Sequence, residues 1–428
     1  MIRTIFILLL AAAITVQADF QRGGPFEPTV TREESVLLNR VMTIAATNVN
    51  LAISELQKTD MEKASPAINF SLGNLHFQAD NLDAAATAYR NAIQKLPRFR
   101  SAIMNLGRVY LLKEDPAAAI ELYQQLVTDG QADGGILLLL GHALLMENRP
   151  VSAESAYRQA LLLKPQNSDA MLGLAKTLLQ QERFTEGLAL VGEILKKDPV
   201  NKELWSLRAN AYLATGKYRA AIHAIEQAFR LECADSEMLA TLGDLFLNQN
   251  QPRDALRAYE KAFSMEKPAL SRLLRAIDGF LMVEDTVNAA AMIERAAELG
   301  KQQPELFDTA AQTTLLRLRA ELARQQSEPD EAMRLSEEVL RIDPLDGRTM
   351  LMLAELQQAA GMLEEAVITC ERAARINGFE AEALVRQAQI EVSRERYTRA
   401  VSLLEAAQAF RHQPHVARYL EQIRRLAE

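Results

Sequence analysis

Aromatic residues are scarce, at 6% with a single Trp, although 49% of the chain is hydrophobic. Such a chain packs through Ala and Leu, which suits helices better than strands built from Val and aromatics. Cysteine is scarcer still, with only Cys233 and Cys370 present. They fall four units apart in the repeat described below, beyond the about 7 Å between Cα atoms that a disulfide tolerates. The fold is therefore expected not to rely on a disulfide, even where export would permit one. An excess of positive charge is also missing, since 48 Lys and Arg face 56 Asp and Glu for a net charge of −8. This balance argues against a nucleic-acid binder, which normally carries a basic patch on a basic background.

Long hydrophobic runs are absent except at the start. In "MIRTIFILLLAAAITVQADF", Arg3 precedes an apolar run from Ile5 to Val16 and a small-residue site at Val16-Gln17-Ala18. The run is about a dozen residues, short of the roughly 20 that span a bilayer. It reads as a secretory signal over residues 1–18, cleaved after Ala18. Loss of Arg3, the leader's only charge, takes the net charge from −8 to −9. No Cys follows the run, which argues against lipid attachment, and no stable membrane insertion is expected after cleavage.

Catalytic signatures are missing too. There is no Gly-rich phosphate loop, no G-x-S-x-G elbow and no H-E-x-x-H. The five His are His76, His142, His223, His412 and His415, and none has the clustered ligands a metal site needs. The acidic pairs Glu337-Glu338 and Glu364-Glu365 sit among Ala and Leu, as on a solvated helix face. No enzymatic role, no cofactor and no metal are expected.

A repeat is abundantly present. "FSLGNLHFQADNLDAAATAYRNAIQKLP" places Gly73, Ala85, Tyr89, Ala92 and Pro97. About 34 residues on, Gly107, Tyr110, Ala119 and Tyr123 match, and then Gly141, Leu144, Ala153, Tyr157, Ala160 and Pro165. Ala175, Gly187 and Pro199 follow, then Trp205, Ala209, Tyr212, Ala221 and Ala228, then Gly243, Phe246, Ala255, Tyr259 and Ala262. A degenerate copy has Ala289, Ile293 and Ala296. Each unit holds two amphipathic stretches at helical spacing, joined by short turns such as Glu114-Asp115-Pro116. Gly73, Gly107 and Gly141 are expected where two helices cross closely, and Pro97, Pro165 and Pro199 end second helices.

In period and residue pattern the chain resembles the tetratricopeptide repeat family. The resemblance implies an all-α fold, a right-handed α-solenoid superhelix of about ten helix hairpins with capping helices. The organisation expected is a signal at 1–18, a flexible leader at 19–30 and a helical cap at 31–65. A first array of about seven repeats occupies 66–303, an insertion 304–312, a second array of about three repeats 313–414, and a capping helix 415–428.

The resemblance also implies that the second, fifth, ninth, twelfth and thirteenth positions of each repeat face a concave groove. The ninth reads Asn74, Arg108, His142, Lys176, Asn210, Asp244, Asp278, Glu321, Glu355 and, last, Gln389. Early fifth positions are apolar (Phe70, Met104, Leu138, Leu172), as are early twelfth positions (Phe77, Leu111, Leu145, Leu179). The expected protein-binding groove is apolar and mildly positive at first and negative later. A peptide's acidic groups would face Arg108 and Lys176, and its basic groups Asp244 to Glu355. Arg108→Glu with Lys176→Glu is then expected to weaken partner capture. Some family members clamp a terminal carboxylate with Lys and Asn; here Asn74 matches an Asn, but Phe70 stands where Lys is needed.

The function expected is a non-enzymatic periplasmic scaffold that binds a protein or peptide and no nucleic acid. "FEAEALVRQAQIEVSRERYTRAVSLLEAAQ", "VARYLEQIRR" and "FSLGNLHFQADNLDAAATAYRNAI" resemble exported repeat proteins that accompany TonB–ExbB–ExbD systems. That resemblance implies an accessory of envelope energy transduction or transport. The alternatives are an assembly factor for outer-membrane proteins or exported polysaccharide, and a metal-binding or hydrolytic protein.

Overall fold

The computed structural model describes residues 26–428. The signal at 1–18 and the leader as far as residue 25 lie outside the described residues. Among the described residues there are 23 α-helices, one short 3-10 turn and no strand. The chain divides into two compact units, residues 1–224 and 225–428, within the helix Tyr218–Arg230.

The first unit opens with the helices Arg32–Ala45 and Val49–Leu56. Four hairpins follow: Pro66–Gln78 with Leu82–Lys95, Arg100–Leu112 with Pro116–Thr128, Gly134–Met146 with Pro150–Leu163, and Ser168–Gln180 with Phe184–Lys197. Helix Lys202–Ala214 begins a fifth. In the second unit the hairpins are Ser236–Asn248 with Pro252–Met265, Leu270–Met282 with Thr286–Gln302, Thr309–Gln325 with Pro329–Ile342, Gly347–Ala359 with Leu363–Ala373, and Glu380–Ser393 with Tyr397–Phe410. Helix Pro414–Ala427 closes it, burying Val416, Leu420 and Ile423 along one face and leaving its other side charged. Each unit is an α-solenoid stack, and none of the described helices is long and apolar enough to cross a membrane.

Sequence dictates where the helices start. Asp133, Asn167, Asn201, Asp235 and Asp346 recur just before first helices, and each side chain accepts an amide N–H from the first turn. Such a cap is worth about 1 kcal/mol. Pro116, Pro150, Pro252 and Pro329 open second helices, where a missing N–H costs nothing.

The crossing glycines have a definite partner. A Cβ on Gly73 would stand 2.6 Å from the Tyr89 ring, on Gly107 2.6 Å from Tyr123, on Gly141 2.8 Å from Tyr157, and on Gly243 2.7 Å from Tyr259. These glycines make room for the aromatic ring of their own hairpin. Tyr157 also reaches the next repeat, where a Cβ on Gly173 would lie 2.3 Å from its ring. Tyr157 therefore joins repeats as well as helices, and Tyr89, Tyr123, Tyr157 and Tyr259 are all buried.

One expectation is corrected. Residues 26–30 are not a loose leader. The Phe26 carbonyl accepts from the Arg100 amide at 3.2 Å, and Phe26 lies 4.8 Å under the Arg98 guanidinium. Glu27 Oε1 accepts from the Ser101 hydroxyl at 2.6 Å, and Val30 packs on two apolar clusters. The 304–312 insertion is mostly structured. Pro304–Leu306 forms a 3-10 turn, Asp308 caps the next helix through the Ala311 amide at 2.8 Å, and that helix begins at Thr309. Gly300 leaves the space that the Phe307 ring fills.

Every hairpin turns through one residue in the left-handed region, closed by an amide-to-carbonyl bond such as Asn81 to His76 at 2.9 Å or Asp115 to Tyr110 at 2.9 Å. Gly216 and Gly361 supply it in two turns. Asp80, Glu114, Asn148, Glu182, Asn250, Glu284, Ser327 and Glu395 do so with a side chain attached. A Cβ there is strained by about 1 kcal/mol or more. Glu114→Gly, Glu182→Gly and Glu284→Gly are therefore expected to raise the urea unfolding midpoint, and Gly216→Ala to lower it. Glycine variants no more stable than the parent would refute this account of the turns.

Candidate functional site

The ninth positions sit on first helices and are half-buried, except Asn210 and Glu355, which are exposed. Four of the ten, Asn74, Lys176, Asp244 and Glu355, are bonded to the repeat that follows. Asn74 Oδ1 accepts from the Tyr89 hydroxyl at 2.7 Å and from Asn105 Nδ2 at 3.1 Å. Lys176 is ion-paired to Glu203. In the second unit Asp244 Oδ1 accepts from the Tyr259 hydroxyl at 2.5 Å, and Asp244 Oδ2 accepts from Arg272 at 2.7 Å, with Arg275 at 3.7 Å. Glu355 pairs with Arg386 at 3.2 Å. Glu321 is held inside its own helix by Arg324 at 2.5 Å and Gln325 at 2.9 Å. One helix turn along and one helix across, a short polar side chain meets the next first helix. At these four places the ninth position is first a lateral tie between repeats.

The tie also satisfies a buried hydroxyl. Burial pushes the Tyr89 phenol well above its usual range, and burial with the Asp244 carboxylate does so for Tyr259. Both hydroxyls stay protonated and donate, and an unbonded hydroxyl there would cost about 1–3 kcal/mol.

These pairings change the expected polarity of the face. In the first unit His142 is held below its ordinary value by burial and then by Lys176, so it is neutral at pH 7. With Lys176 paired to Glu203, Arg108 is the ninth-position cation of that unit without an ion pair. In the second unit the acidic column is matched by arginines at other positions. Asp278 and Glu321 share a small cavity of about 60 Å³ with Arg317, Arg348, Leu318, Thr349 and Met352. That stretch carries both signs and is not the negative surface that the ninth positions alone suggest. Arg108→Glu with Lys176→Glu is for the same reason no clean probe. It buries a carboxylate at one place and sets two carboxylates together at the other.

Of the apolar positions, Phe70 and Leu111 are fully buried and belong to the core. Phe70 lies 5.0 Å from Phe99 and 5.7 Å from Tyr89, ring to ring. Phe77, Met104, Leu138, Leu145, Leu172 and Leu179 are half-buried and keep part of their surface on the first helices. Asn105 and Glu203 in the first unit, and Arg272, Arg317, Arg348 and Arg386 in the second, also lie on first helices and are missed when one position per repeat is read. The missed signal was present in the sequence, as charges at the second, third, fifth and sixth positions.

Among the described residues no group of three or more His, Cys, Asp or Glu is arranged to hold a metal ion. Cys370 fills an apolar slot beside Ala354, Ala366 and Ile390, where burial pushes its thiol up to about 12.

Residues 10–272 match the family described as "Cilia and flagella-associated protein 70 C-terminal domain", and residues 323–390 match a tetratricopeptide repeat family. No curated protein matches the chain. Among solved structures, the C-terminal part of a TPR repeat-containing protein from Cytophaga hutchinsonii is 13% identical and overlays with a TM-score of 0.51, covering 58% of this chain and 98% of that one. A tetratricopeptide repeat protein from Parabacteroides merdae is 16% identical over 68% of this chain and 98% of that one, with a TM-score of 0.35. PilF of Pseudomonas aeruginosa is 16% identical over 52% of this chain and 96% of its own, with a TM-score of 0.39.

Proposed function

We propose that this chain, which belongs to the tetratricopeptide-repeat family described as the cilia and flagella-associated protein 70 C-terminal domain, is a non-enzymatic scaffold that holds a protein segment against its first helices. Proteins of this fold bind protein or peptide partners. One observation carries the placement on this face. After the core is packed and the ninth positions are tied, the first helices of the first unit still present Met104, Leu138, Leu145 and Leu172 half-exposed. Apolar surface at about 25 cal/mol per Å² supplies binding free energy, and the interspersed polar residues set register.

The place of action in this reading is the periplasm of a Gram-negative envelope, on the strength of the leader over residues 1–18. The pathway is an accessory role beside a TonB-type energy-transduction or transport system. Its support is the likeness of residues 70–93, 379–408 and 416–425 to exported proteins of such systems.

The test is photo-crosslinking in intact cells. A benzoylphenylalanine is placed at Asn210 or Leu138 on first helices, or at Val151 or Leu162, exposed on the second helix Pro150–Leu163. Adducts are expected from Asn210 and Leu138, on a chain whose mass spectrum begins at Asp19. Adducts from Val151 and Leu162 alone would move the binding face to the second helices, and an unprocessed N-terminus would remove the periplasmic assignment.

A further inference from the structure

Arg108 is a cation that the fold leaves without a counter-ion. Its Nε is buried and has no hydrogen-bond partner. Its one side-chain bond is from Nη1 to Asn105 Oδ1, long at 3.3 Å. Among the described residues no carboxylate forms an ion pair with it. Asp133, whose field reaches it, is already paired to Arg100 at 2.5 Å and caps the Gly135 and Ile136 amides. Burial lowers the pKa of the guanidinium, but an arginine stays charged in proteins. A half-buried guanidinium with one N–H cut off from water and from any acceptor costs stability.

The rest of the inner face of this unit does not compete for an anion. Lys176 is neutralised by Glu203, and His142 is neutral. Met104 and Leu112 lie four residues either side of Arg108, on the same helix face, and both are half-buried. Asn105 is held at the same place by its bond to Asn74, which in turn is fixed by the Tyr89 hydroxyl. The guanidinium is thus aimed by a polar chain anchored in the core and framed by apolar side chains.

We propose that Arg108 is the receptor for one carboxylate of the bound segment, flanked on that segment by apolar residues. This rests on the reading of the first helices as the binding face and names the chemistry recognised there. The carboxylate gives the buried Nε–H an acceptor and the half-buried cation a counter-ion, so the stabilisation that folding lacks at this point is supplied on binding. An unsatisfied functional group of this kind makes its own removal stabilising, whereas a structural arginine makes its removal destabilising.

The test uses the full mature chain and three peptides: acetyl-Leu-Glu-Leu-amide, acetyl-Leu-Gln-Leu with a free C-terminal carboxylate, and acetyl-Leu-Gln-Leu-amide. The Arg108 Nε–H resonance is followed during titration. A saturable downfield shift with the first peptide identifies a side-chain carboxylate, and one with the second a chain terminus. The third is expected to produce none. Alongside, Arg108→Met is expected to raise the thermal midpoint and to abolish binding of the responsive peptide, with Arg108→Lys keeping part of it. No shift with either acid, or a lowered midpoint for both Arg108→Met and Arg108→Gln, would overturn the proposal. Crosslinks from Asn210 and Leu138 would still stand in that case, so this failure is separable from failure of the scaffold reading.

Discussion

Gly173→Ala is expected to destabilise the chain by about 2–3 kcal/mol, while the same change at Gly192 stabilises it. Both glycines sit inside helices, where Ala is intrinsically better by about 1 kcal/mol. A Cβ on Gly192 meets nothing within 4 Å, so propensity alone decides its sign. A Cβ on Gly173 would lie 2.3 Å from Cε1 and Cζ of Tyr157 and 2.8 Å from its hydroxyl. The ring has little room to retreat, because Gly141 also lies against it, where a Cβ would be 2.8 Å away. Tyr157 is buried, with only 1% of its surface exposed, so a shift of the ring displaces core neighbours such as Ala153 and Ala160. Overpacking therefore outweighs propensity. The mechanism makes a second claim. In a Tyr157→Leu background, itself destabilised by lost packing, Gly173→Ala should cost little, since the obstructing ring is gone. Urea unfolding followed by circular dichroism reads all four variants. Additive effects of Tyr157→Leu and Gly173→Ala would show that the two residues do not oppose each other.

Which features could be read from sequence follows from what repeats. Glycine at 73, 107, 141 and 243 and tyrosine at 89, 123, 157 and 259 keep a fixed spacing because each repeat must solve the same packing problem. Identical local solutions leave a period, and the period gave the fold class. The pairing of each Gly with the Tyr ring of its own hairpin was not visible, because spacing shows recurrence and not direction. The left-handed turn residues recur as faithfully, yet Asp, Glu, Asn, Ser and Gly all serve there. A conformation that several residue types share leaves no letter to read. The ninth position failed as a guide to charge for a different reason. Asp244 and Glu355 are acidic in the sequence, but Arg272 and Arg386 lie 28 and 31 residues on and cancel them. Charge on a stacked surface belongs to neighbours in space, and one column per repeat omits them. Arg108 is a cation by its letter alone, but its lack of an acid partner is a property of the assembled unit.

Glu391→Leu is expected to cost about 3 kcal/mol, and Glu391→Leu with Arg394→Leu much less, so that the second change partly rescues the first. The eleventh position of the repeat is a large apolar or aromatic slot at Tyr110, Leu144, Leu178, Tyr212, Phe246 and Phe280. In the last repeat it holds Glu391, whose side chain is fully buried. Three guanidinium groups surround its carboxylate: Arg394 at 3.6 Å, Arg396 at 3.6 Å and Arg399 at 3.5 Å. None of them reaches hydrogen-bond geometry, so the attraction is Coulombic and the desolvation of the carboxylate is not fully offset. Arg396 and Arg399 are half-exposed, and water can take over their solvation when the acid is lost. Arg394 has only 10% of its side chain exposed and would keep Glu364 alone as a partner. Most of the penalty of Glu391→Leu therefore falls on Arg394, whose nearly buried guanidinium is left with one carboxylate in place of two. Removing that cation as well returns the slot to the apolar pattern of Leu144 and Leu178, which buried ion pairs seldom outperform. The unfolding midpoints of the two single variants and the double variant decide the matter. A double variant no more stable than Glu391→Leu would mean that the cluster contributes through shape or hydrogen bonding and not through its charges.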